Sequence, residues 1–218
     1  MIDRADITGV ILCGGDARRM SGVEKPLQRL DDAPIVSHVH ARLAPQVARV
    51  VISANRFRDE YASYADQVVP DAMAGAGPLG GLLSALDALR GQETPYVFAC
   101  PGDAPFLDPS LVSRLARALA DTDADVAVPH DGTRSQHLFL LMRTTGEARL
   151  RTYLETGERS VHGWMETQHT AVADAADIAT SFANINTAQE LQHAQEQLRG
   201  PSHSQEQHTH LHQDQEPL

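Results

Sequence analysis

The sequence has few cysteines, few aromatic residues and little positive charge. Two cysteines, Cys13 and Cys100, are too few for a disulfide-stabilised scaffold. Each ends an apolar run, so we predict that both pack at the ends of core strands in a reducing cytoplasm and do not act as nucleophiles. Aromatic residues make up 5% of the 218 residues, and the formal net charge is −11. Because non-specific nucleic-acid binding depends on basic surface, this balance argues against a nucleic-acid partner.

Long apolar runs are lacking as well. No stretch approaches the roughly 18 apolar residues of a membrane-spanning helix, and residues 1–6 do not have the basic-then-apolar order of a signal peptide. We therefore predict a cytoplasmic protein without membrane contact. An apolar fraction of 42% over 218 residues suffices for one packed core, so residues 1–199 are predicted to form a single domain.

The carboxyl-terminal residues have a different composition. Residues 200–218 are polar and rich in histidine and glutamine, and His208, His210 and His212 alternate along the chain. Such a segment cannot bury enough apolar surface to offset its ordering entropy, so we predict a disordered tail. Its imidazoles could bind Ni²⁺, Cu²⁺ or Zn²⁺, although a solvated low-complexity tail is the simpler interpretation.

Strand-like apolar runs alternate with segments of helical periodicity. The strand-like runs are residues 7–12, 49–53, 67–69, 96–99, 125–128 and 138–142. Three helices are predicted to open at Pro34, Pro78 and Pro109, because proline is favoured in a first helical turn. The alternation predicts an α/β fold, with an open, mostly parallel, Rossmann-like sheet and helices on both faces. In such sheets ligands bind beyond the carboxyl ends of the strands.

The first strand-like run ends in a glycine pair that is followed by positive charge. Gly14 and Gly15 allow a tight turn and let main-chain N–H groups approach a ligand. Arg18, Arg19 and Lys25 come next in the same segment. A strand, a backbone loop and cationic side chains together predict a cradle for a polyphosphate. The spacing fits neither G-x-x-x-x-G-K-[ST] nor G-x-G-x-x-G, which argues against P-loop and dinucleotide-binding proteins.

A second candidate site follows the run at 96–99. Asp103 lies between Pro101 and Pro105, which restrict the backbone, so its carboxylate is held at a strand end. A carboxylate in this place suits Mg²⁺, which binds through one or two carboxylates together with substrate phosphates. The alternative is that Asp103 only caps the turn that leads to Pro109.

These segments resemble a known family. Residues 12–15, Arg19-Met20 and Lys25 resemble the signature loop of nucleotidyltransferases and, more narrowly, of the MobA-like molybdenum cofactor guanylyltransferases. Further segments that match the family pattern, in the family's order, are residues 52–56, Asp71, 77–81, 101–105, 131–132, 153–159 and 184–187. The resemblance covers residues 7 to 191. It implies a nucleotidyltransferase fold, Mg²⁺ as cofactor, and GTP and molybdopterin as substrates. It also implies a monomer that works with other molybdenum-cofactor biosynthesis proteins and with apo-molybdoenzymes.

The resemblance also implies residue roles. The implied catalytic residues are Arg19, Lys25 and Asp103, with Asp103 as the Mg²⁺ ligand. The implied GTP-binding residues are Leu12, Cys13, Gly14, Gly15, Lys25, Ser53, Asn55, Asp71, Gly77, Pro78, Gly81 and Asp103. Among these, the Asp71 carboxylate would accept from guanine N1–H and N2–H₂. The implied acceptor-binding residues are Arg159, Asn184 and Asn186.

The chain departs from the family pattern on the expected pterin side. Ser160 stands where an arginine is frequent, and residues 136–138 lack the usual proline; on the nucleotide side, Ser53 replaces an asparagine. The leading hypothesis is GMP transfer from GTP to molybdopterin, with release of pyrophosphate. The alternatives are a related nucleotidyltransferase that uses CTP with the pterin or a sugar 1-phosphate acceptor, and a non-catalytic protein that binds metal or nucleotide.

Overall fold

A computed structural model describes residues 2–14, 24–73 and 75–199 of the chain. Gly15, Arg18 and Arg19, for which the sequence predicts a phosphate-binding role, lie outside the described residues. The predicted tail at 200–218 lies outside them as well.

A seven-stranded sheet lies at the centre of the described chain. The strands are β1 (Ile7–Leu12), β2 (Arg29–Leu30), β3 (Ala33–Pro34), β4 (Arg49–Ser53), β5 (Gln67–Val69), β6 (Tyr96–Pro101), β7 (Val126–His130), β8 (Leu140–Arg143) and β9 (Thr170–Asp174). The sheet order is β5-β4-β1-β6-β8-β7-β9, and β2 and β3 form a separate antiparallel pair. The predicted open, mostly parallel sheet is confirmed.

The parallel part of the sheet surrounds β1. Val10 pairs in register with Val51 of β4 on one side and with Ala99 of β6 on the other. The exception to the parallel arrangement is β8, which runs antiparallel to both β6 and β7. The carboxyl ends of β1, β4 and β6 therefore meet at one edge of the sheet, where the fold class predicts the ligand site.

Helices cover both faces of this sheet. They are α1 (Ile35–Leu43), α2 (Arg58–Tyr61), α3 (Gly77–Ala88), α4 (Leu111–Thr122), α5 (Glu147–Glu155), α6 (Val161–Glu166) and α7 (Ala188–Arg199). On one face, α1 and α4 pack on Ile11, Ile52 and Phe98. On the other, α3, α5 and α6 pack on Val10 and Val51. The central strands are apolar on both sides because both of their faces are covered.

Two predicted helix starts are wrong by one or two residues. Pro34 lies in β3, and α1 begins at Ile35. Asp108 Oδ1 accepts hydrogen bonds from Ser110 N at 2.8 Å and Ser110 Oγ at 2.6 Å, so a turn occupies the Pro109 position and α4 begins at Leu111. These local hydrogen bonds compete with the helix for the same backbone groups.

Both cysteines are free and buried, as predicted. Burial raises the pKa of the Cys13 and Cys100 thiols well above the ordinary value, so both stay protonated at neutral pH. Of the described helices, none combines the length and the apolar character needed to cross a membrane.

Candidate functional site

The candidate site lies at the carboxyl ends of β1 and β6. Backbone hydrogen bonds continue the sheet past both strands, because Gly102 N donates to Leu12 O at 3.0 Å and Cys13 N donates to Ser53 O at 2.9 Å. Cys13 and Gly14 therefore leave the sheet beside the segment that carries Asp103. The two candidate segments that the sequence predicts, after residues 7–12 and after residues 96–99, are thus neighbours in space.

A pocket opens between these segments and is called the first pocket below. Its described lining residues are Leu12, Cys13, Gly14, Glu24, Lys25, Pro26, Pro78, Pro101, Asp103, Leu138 and Asn184. Lys25, which carries an ammonium group, and Asp103, which carries a carboxylate, therefore line the same pocket as Gly14. One cation, one carboxylate and bare backbone suit a phosphate chain that carries a metal ion.

The Asp103 carboxyl group is in an environment that disfavours its charge. Burial raises its pKa, and the nearby Lys25 charge lowers it only in part. A bound divalent cation would offset the cost of the buried charge. Among the described residues, no cluster of three or more His, Cys, Asp or Glu side chains could hold a metal by itself. A single carboxylate in a phosphate-suited pocket is the kind of ligand that Mg²⁺ takes from a protein, with the remaining oxygens coming from phosphates.

Lys25 opens a short 3₁₀ turn, Lys25–Leu27, which the buried Pro26 anchors. Its Nζ donates to Asn186 Oδ1 at 2.8 Å. This bond restricts the position of the ammonium group, which lies on a flexible side chain, at the first pocket.

Asp71 forms a hydrogen-bonded cluster beside Gly14. Its Oδ1 accepts from Ser53 Oγ at 2.5 Å, and its Oδ2 accepts from Asn55 Nδ2 at 2.9 Å. Asp71 N in turn donates to Asn55 Oδ1 at 2.8 Å. A Cβ at Gly14 would lie 2.7 Å from Asp71 Oδ2, and a Cβ at Gly81 would lie 2.6 Å from Ser53 Oγ. The cluster therefore depends on glycine at both positions.

The position of Ser53 changes its predicted role. Its side chain is fully buried, and its hydroxyl group is used by Asp71. Ser53 thus positions Asp71 and has no surface to offer a nucleotide. Gly81 is also buried, below Ser53, whereas Gly77 has a φ of 63° at the start of α3 and Pro78 lines the first pocket.

A second pocket adjoins the first and shares Asn184 with it. Its described lining residues are Phe106, Arg134, Gln136, Phe182, Ala183, Asn184, Ile185, Asn186, Gln189, Glu190, His193, Ala194 and Gln197. The predicted acceptor residues Asn184 and Asn186 therefore lie together, at the junction of the two pockets. Two phenylalanine rings and several amide groups line the second pocket.

A tight turn after β7 places two of these side chains. Asp131 Oδ1 accepts from Thr133 N at 2.7 Å and Arg134 N at 2.8 Å, and Oδ2 accepts from Gln136 Nε2 at 2.5 Å. These hydrogen bonds lower the pKa of Asp131 to about 2, and the bond from the Arg134 backbone has the largest effect. The turn thus holds Arg134 and Gln136 against the second pocket.

Arg159 does not join Asn184 and Asn186 at the pockets. It is not among the described lining residues of either pocket. Its Nη1 donates to the carbonyl oxygens of Leu154 at 2.7 Å and Glu158 at 2.6 Å. Carbonyl groups at the end of a helix lack intrahelical partners, and α5 uses the guanidinium group as a cap. In this structure Arg159 caps α5, and its predicted acceptor contact stays a prediction.

The lining residues to which sequence reasoning assigned no role include Glu24, Arg134, Gln136 and Glu190. Burial raises the pKa of Glu24, while Arg56 lowers it. For Glu190 a signal was present, because Thr187-Ala-Gln-Glu190 has the spacing of a helix capping box. Gln136 lies in the segment 136–138, which the sequence placed on the expected pterin side, and no comparable pattern marks Glu24 or Arg134.

The chain matches the family described as "MobA-like NTP transferase domain" over residues 9–172. It is 40% identical over 201 residues to the molybdenum cofactor guanylyltransferase of Ralstonia nicotianae, covering 88% of this chain and 97% of the relative. It is 37% identical over 193 residues to the enzyme of the same name from Shewanella loihica, covering 88% and 97%.

Solved structures show the same fold. The molybdopterin-guanine dinucleotide biosynthesis protein A of Archaeoglobus fulgidus superposes with a TM-score of 0.73 at 20% identity, covering 88% of this chain and 98% of that one. A nucleotidyl transferase from Methanothermobacter thermautotroptrophicus gives a TM-score of 0.69 at 18% identity, with coverage of 88% and 98%. The sequence match, together with the phosphate-suited pocket at the ends of β1 and β6, shows that this chain belongs to the MobA-like NTP transferase family and is a nucleotidyltransferase.

Proposed function

We propose that this chain is a molybdenum cofactor guanylyltransferase, which transfers GMP from GTP to the terminal phosphate of molybdopterin and releases pyrophosphate. The observation that carries the proposal is that Lys25 and Asp103 line one pocket beside the Gly14 backbone. Relatives of that name, 37% and 40% identical over most of the chain, support the choice of substrates.

The donor nucleotide would lie in the first pocket. The backbone of residues 12–14 would receive the triphosphate, and the Lys25 ammonium group would offset the charge that grows on the leaving pyrophosphate. Gly15 and Arg19 belong to the same proposed loop. Asp71, oriented by Ser53 and Asn55, would accept hydrogen bonds from the guanine edge.

Asp103 would hold Mg²⁺ together with phosphate oxygens. The ion, when bound, supplies positive charge at the phosphate that is transferred. Nucleotidyl transfer needs positioning of the substrates and neutralisation of their charge more than it needs a protein nucleophile. The buried, protonated thiols of Cys13 and Cys100 are in keeping with direct attack by the acceptor phosphate.

Molybdopterin would occupy the second pocket. Phe106 and Phe182 offer apolar surface to a planar ring, and the amides of Gln136 and Asn186 offer donors and acceptors to its polar edge. Asn184, which lines both pockets, would lie where the acceptor phosphate meets the donor phosphate. The expected monomeric state, cytoplasmic location and delivery to apo-molybdoenzymes belong to this proposal.

The test is a transfer assay with the purified full chain and Mg²⁺. GTP, CTP and ATP are each offered with molybdopterin and with a sugar 1-phosphate, and pyrophosphate release is measured. We expect release with GTP and molybdopterin only. Release with CTP and molybdopterin would assign the chain to one alternative reaction. Release that requires the sugar 1-phosphate as acceptor and does not occur with molybdopterin would assign it to the other. Nucleotide binding without release in any combination would indicate a binding protein.

A further inference from the structure

Hydrogen bonds connect Lys25 to the amino-terminal end of α7. Lys25 Nζ donates to Asn186 Oδ1 at 2.8 Å, and Asn186 lies just before α7 begins. A lysine ammonium group is a point charge on a flexible stem, without a preferred direction of its own. The Asn186 oxygen therefore restricts the positions that this charge takes at the first pocket.

A reciprocal capping box holds Asn186 in place. Thr187 Oγ1 accepts from Glu190 N at 3.1 Å, and Glu190 Oε2 accepts from Thr187 N at 2.8 Å. The same Oε2 also accepts from Asn186 N at 2.7 Å, which extends the box by one residue. The Asn186 N–H group is the largest cause of the lowered pKa of Glu190, and the Lys25 charge acts in the same direction. At neutral pH the carboxylate is therefore ionised and can hold both backbone groups.

The other end of this segment is tied to the strand end that carries Asp103. Ile185 N donates to Asp103 O at 2.9 Å, and the buried Ile185 side chain packs with Leu30 and Ile35. The backbone on both sides of Asn186 is thus fixed, by the Asp103 carbonyl group before it and by the Glu190 carboxylate after it. Because this backbone is fixed, the orientations open to the Asn186 amide side chain are restricted.

We propose that Glu190 is a positioning residue for nucleotidyl transfer. Its carboxylate fixes the backbone of Asn186, so that Asn186 Oδ1 directs the Lys25 ammonium group towards the substrate phosphates. This inference rests on the proposed function, because it concerns Lys25 in that reaction. It gives Asn186 a task on the donor side in addition to its proposed acceptor contact.

The test is a double-mutant cycle with Glu190→Ala and Lys25→Ala, assayed for kcat and KM with GTP and molybdopterin. We expect Lys25→Ala to lower kcat by about 10²-fold and Glu190→Ala to lower it by roughly tenfold, with little change in the KM for GTP. Because Glu190 acts through Lys25, the double variant should be no slower than Lys25→Ala alone. A purely structural loss would multiply with the loss from Lys25→Ala.

Two further variants serve as controls. Glu196→Ala removes a carboxylate from the same helix at a position outside the described lining of both pockets, and it should keep the wild-type kcat. Glu190→Gln retains a capping acceptor and should recover most of the loss. If thermal unfolding shows that Glu190→Ala does not fold, Thr187→Val opens the same box and replaces it in the cycle.

Wild-type kcat in a folded Glu190→Ala protein, or losses that multiply in the double variant, would overturn the inference. A wild-type protein that releases no pyrophosphate with both substrates present would contradict the proposed function instead. The two failures are therefore distinguishable in one set of assays.

Discussion

Asp103 combines a functional position with an unfavourable environment for its charge. Burial raises the pKa of its carboxyl group in the folded chain. When a folded-state pKa lies above the unfolded-state value, the ionised group destabilises the fold as pH rises through the folded-state value. Without a ligand, Asp103 thus costs stability at neutral pH, which is typical of residues kept for function.

We expect Asp103→Asn to lose turnover while the ligand-free protein becomes as stable as the wild type or more stable at pH 7. Asparagine keeps the size of the side chain but removes the charge that would balance Mg²⁺. Pyrophosphate release across a Mg²⁺ titration measures the turnover, and thermal unfolding without nucleotide measures the stability. Asp121→Asn on the exposed side of α4 is the matched control. Full Mg²⁺-dependent turnover of Asp103→Asn would place the metal elsewhere.

The Asp71 cluster leads to a prediction about recognition of the guanine base of GTP. A serine hydroxyl group can accept as well as donate, so Ser53 and Asn55 can still orient an amide in Asp71→Asn. We expect the variant to fold normally and to bind GTP more weakly by about 1.5–3 kcal/mol, the range for a hydrogen bond to a charged group. Binding of CTP and ATP should change less, and Asp59→Asn on α2 should change none of the three. Titration calorimetry that finds equal losses for all three nucleotides would show that Asp71 only shapes the loop.

At the scale of elements, the turn after β7 depends on the charge of Asp131. Its pKa is lowered to about 2 in the folded chain, so its contribution to stability is present above the unfolded-state pKa and is lost as pH falls through the folded-state value. The backbone of residues 133 and 134 supplies two of the stabilising donors. The turn should therefore loosen only in acid.

We expect Asp131→Asn to lower the unfolding temperature at pH 6, and the difference from the wild type to disappear as pH falls from 3.8 to about 2. Asparagine keeps an oxygen acceptor, so the comparison reports on the charge. The measurement is thermal unfolding of both proteins across that pH range, with Asp121→Asn as the control for general acid effects. A difference that persists unchanged at pH 2 would exclude the charge as its source.

At the scale of the whole molecule, the described chain is organised around the two faces of one sheet. Separate apolar clusters pack on each face of the sheet, and in a smaller cluster α7 packs against β2 and α1. The proposed site draws on β1, β6 and the start of α7. The prediction that residues 200–218 form a disordered tail without a catalytic role remains to be tested.

We expect removal of residues 201–218 to leave turnover and unfolding temperature unchanged, because the described site uses residues from 12 to 197. Binding of Ni²⁺ should fall in the same variant, since it loses His203, His208, His210 and His212. Pyrophosphate release and Ni²⁺ titration of both proteins measure the two effects. Loss of turnover on truncation would favour a functional tail.

Local sequence was sufficient for the elements whose pattern is set by their own residues. The boundaries of β1, β4 and β5 agree with the apolar runs at 7–12, 49–53 and 67–69, because buried strands read as continuous hydrophobic segments. The sequence analysis did not predict the edge strand β9. Its large apolar residue, Val172, is 56% exposed, while the small Ala171 and Ala173 are buried. Its strand pattern is therefore inverted.

The sequence by itself determined the α/β class, the strand ends that carry Gly14 and Asp103, and the residue types suited to phosphate and metal. The tertiary structure alone decided the antiparallel direction of β8, the burial of Ser53 and the use of Arg159 as a cap. It also decided the contact between Lys25 and Asn186, which lie 161 residues apart. The physical reason is that periodicity reports which face of an element is buried, whereas contacts between distant segments depend on strand order and on competition for hydrogen-bond partners.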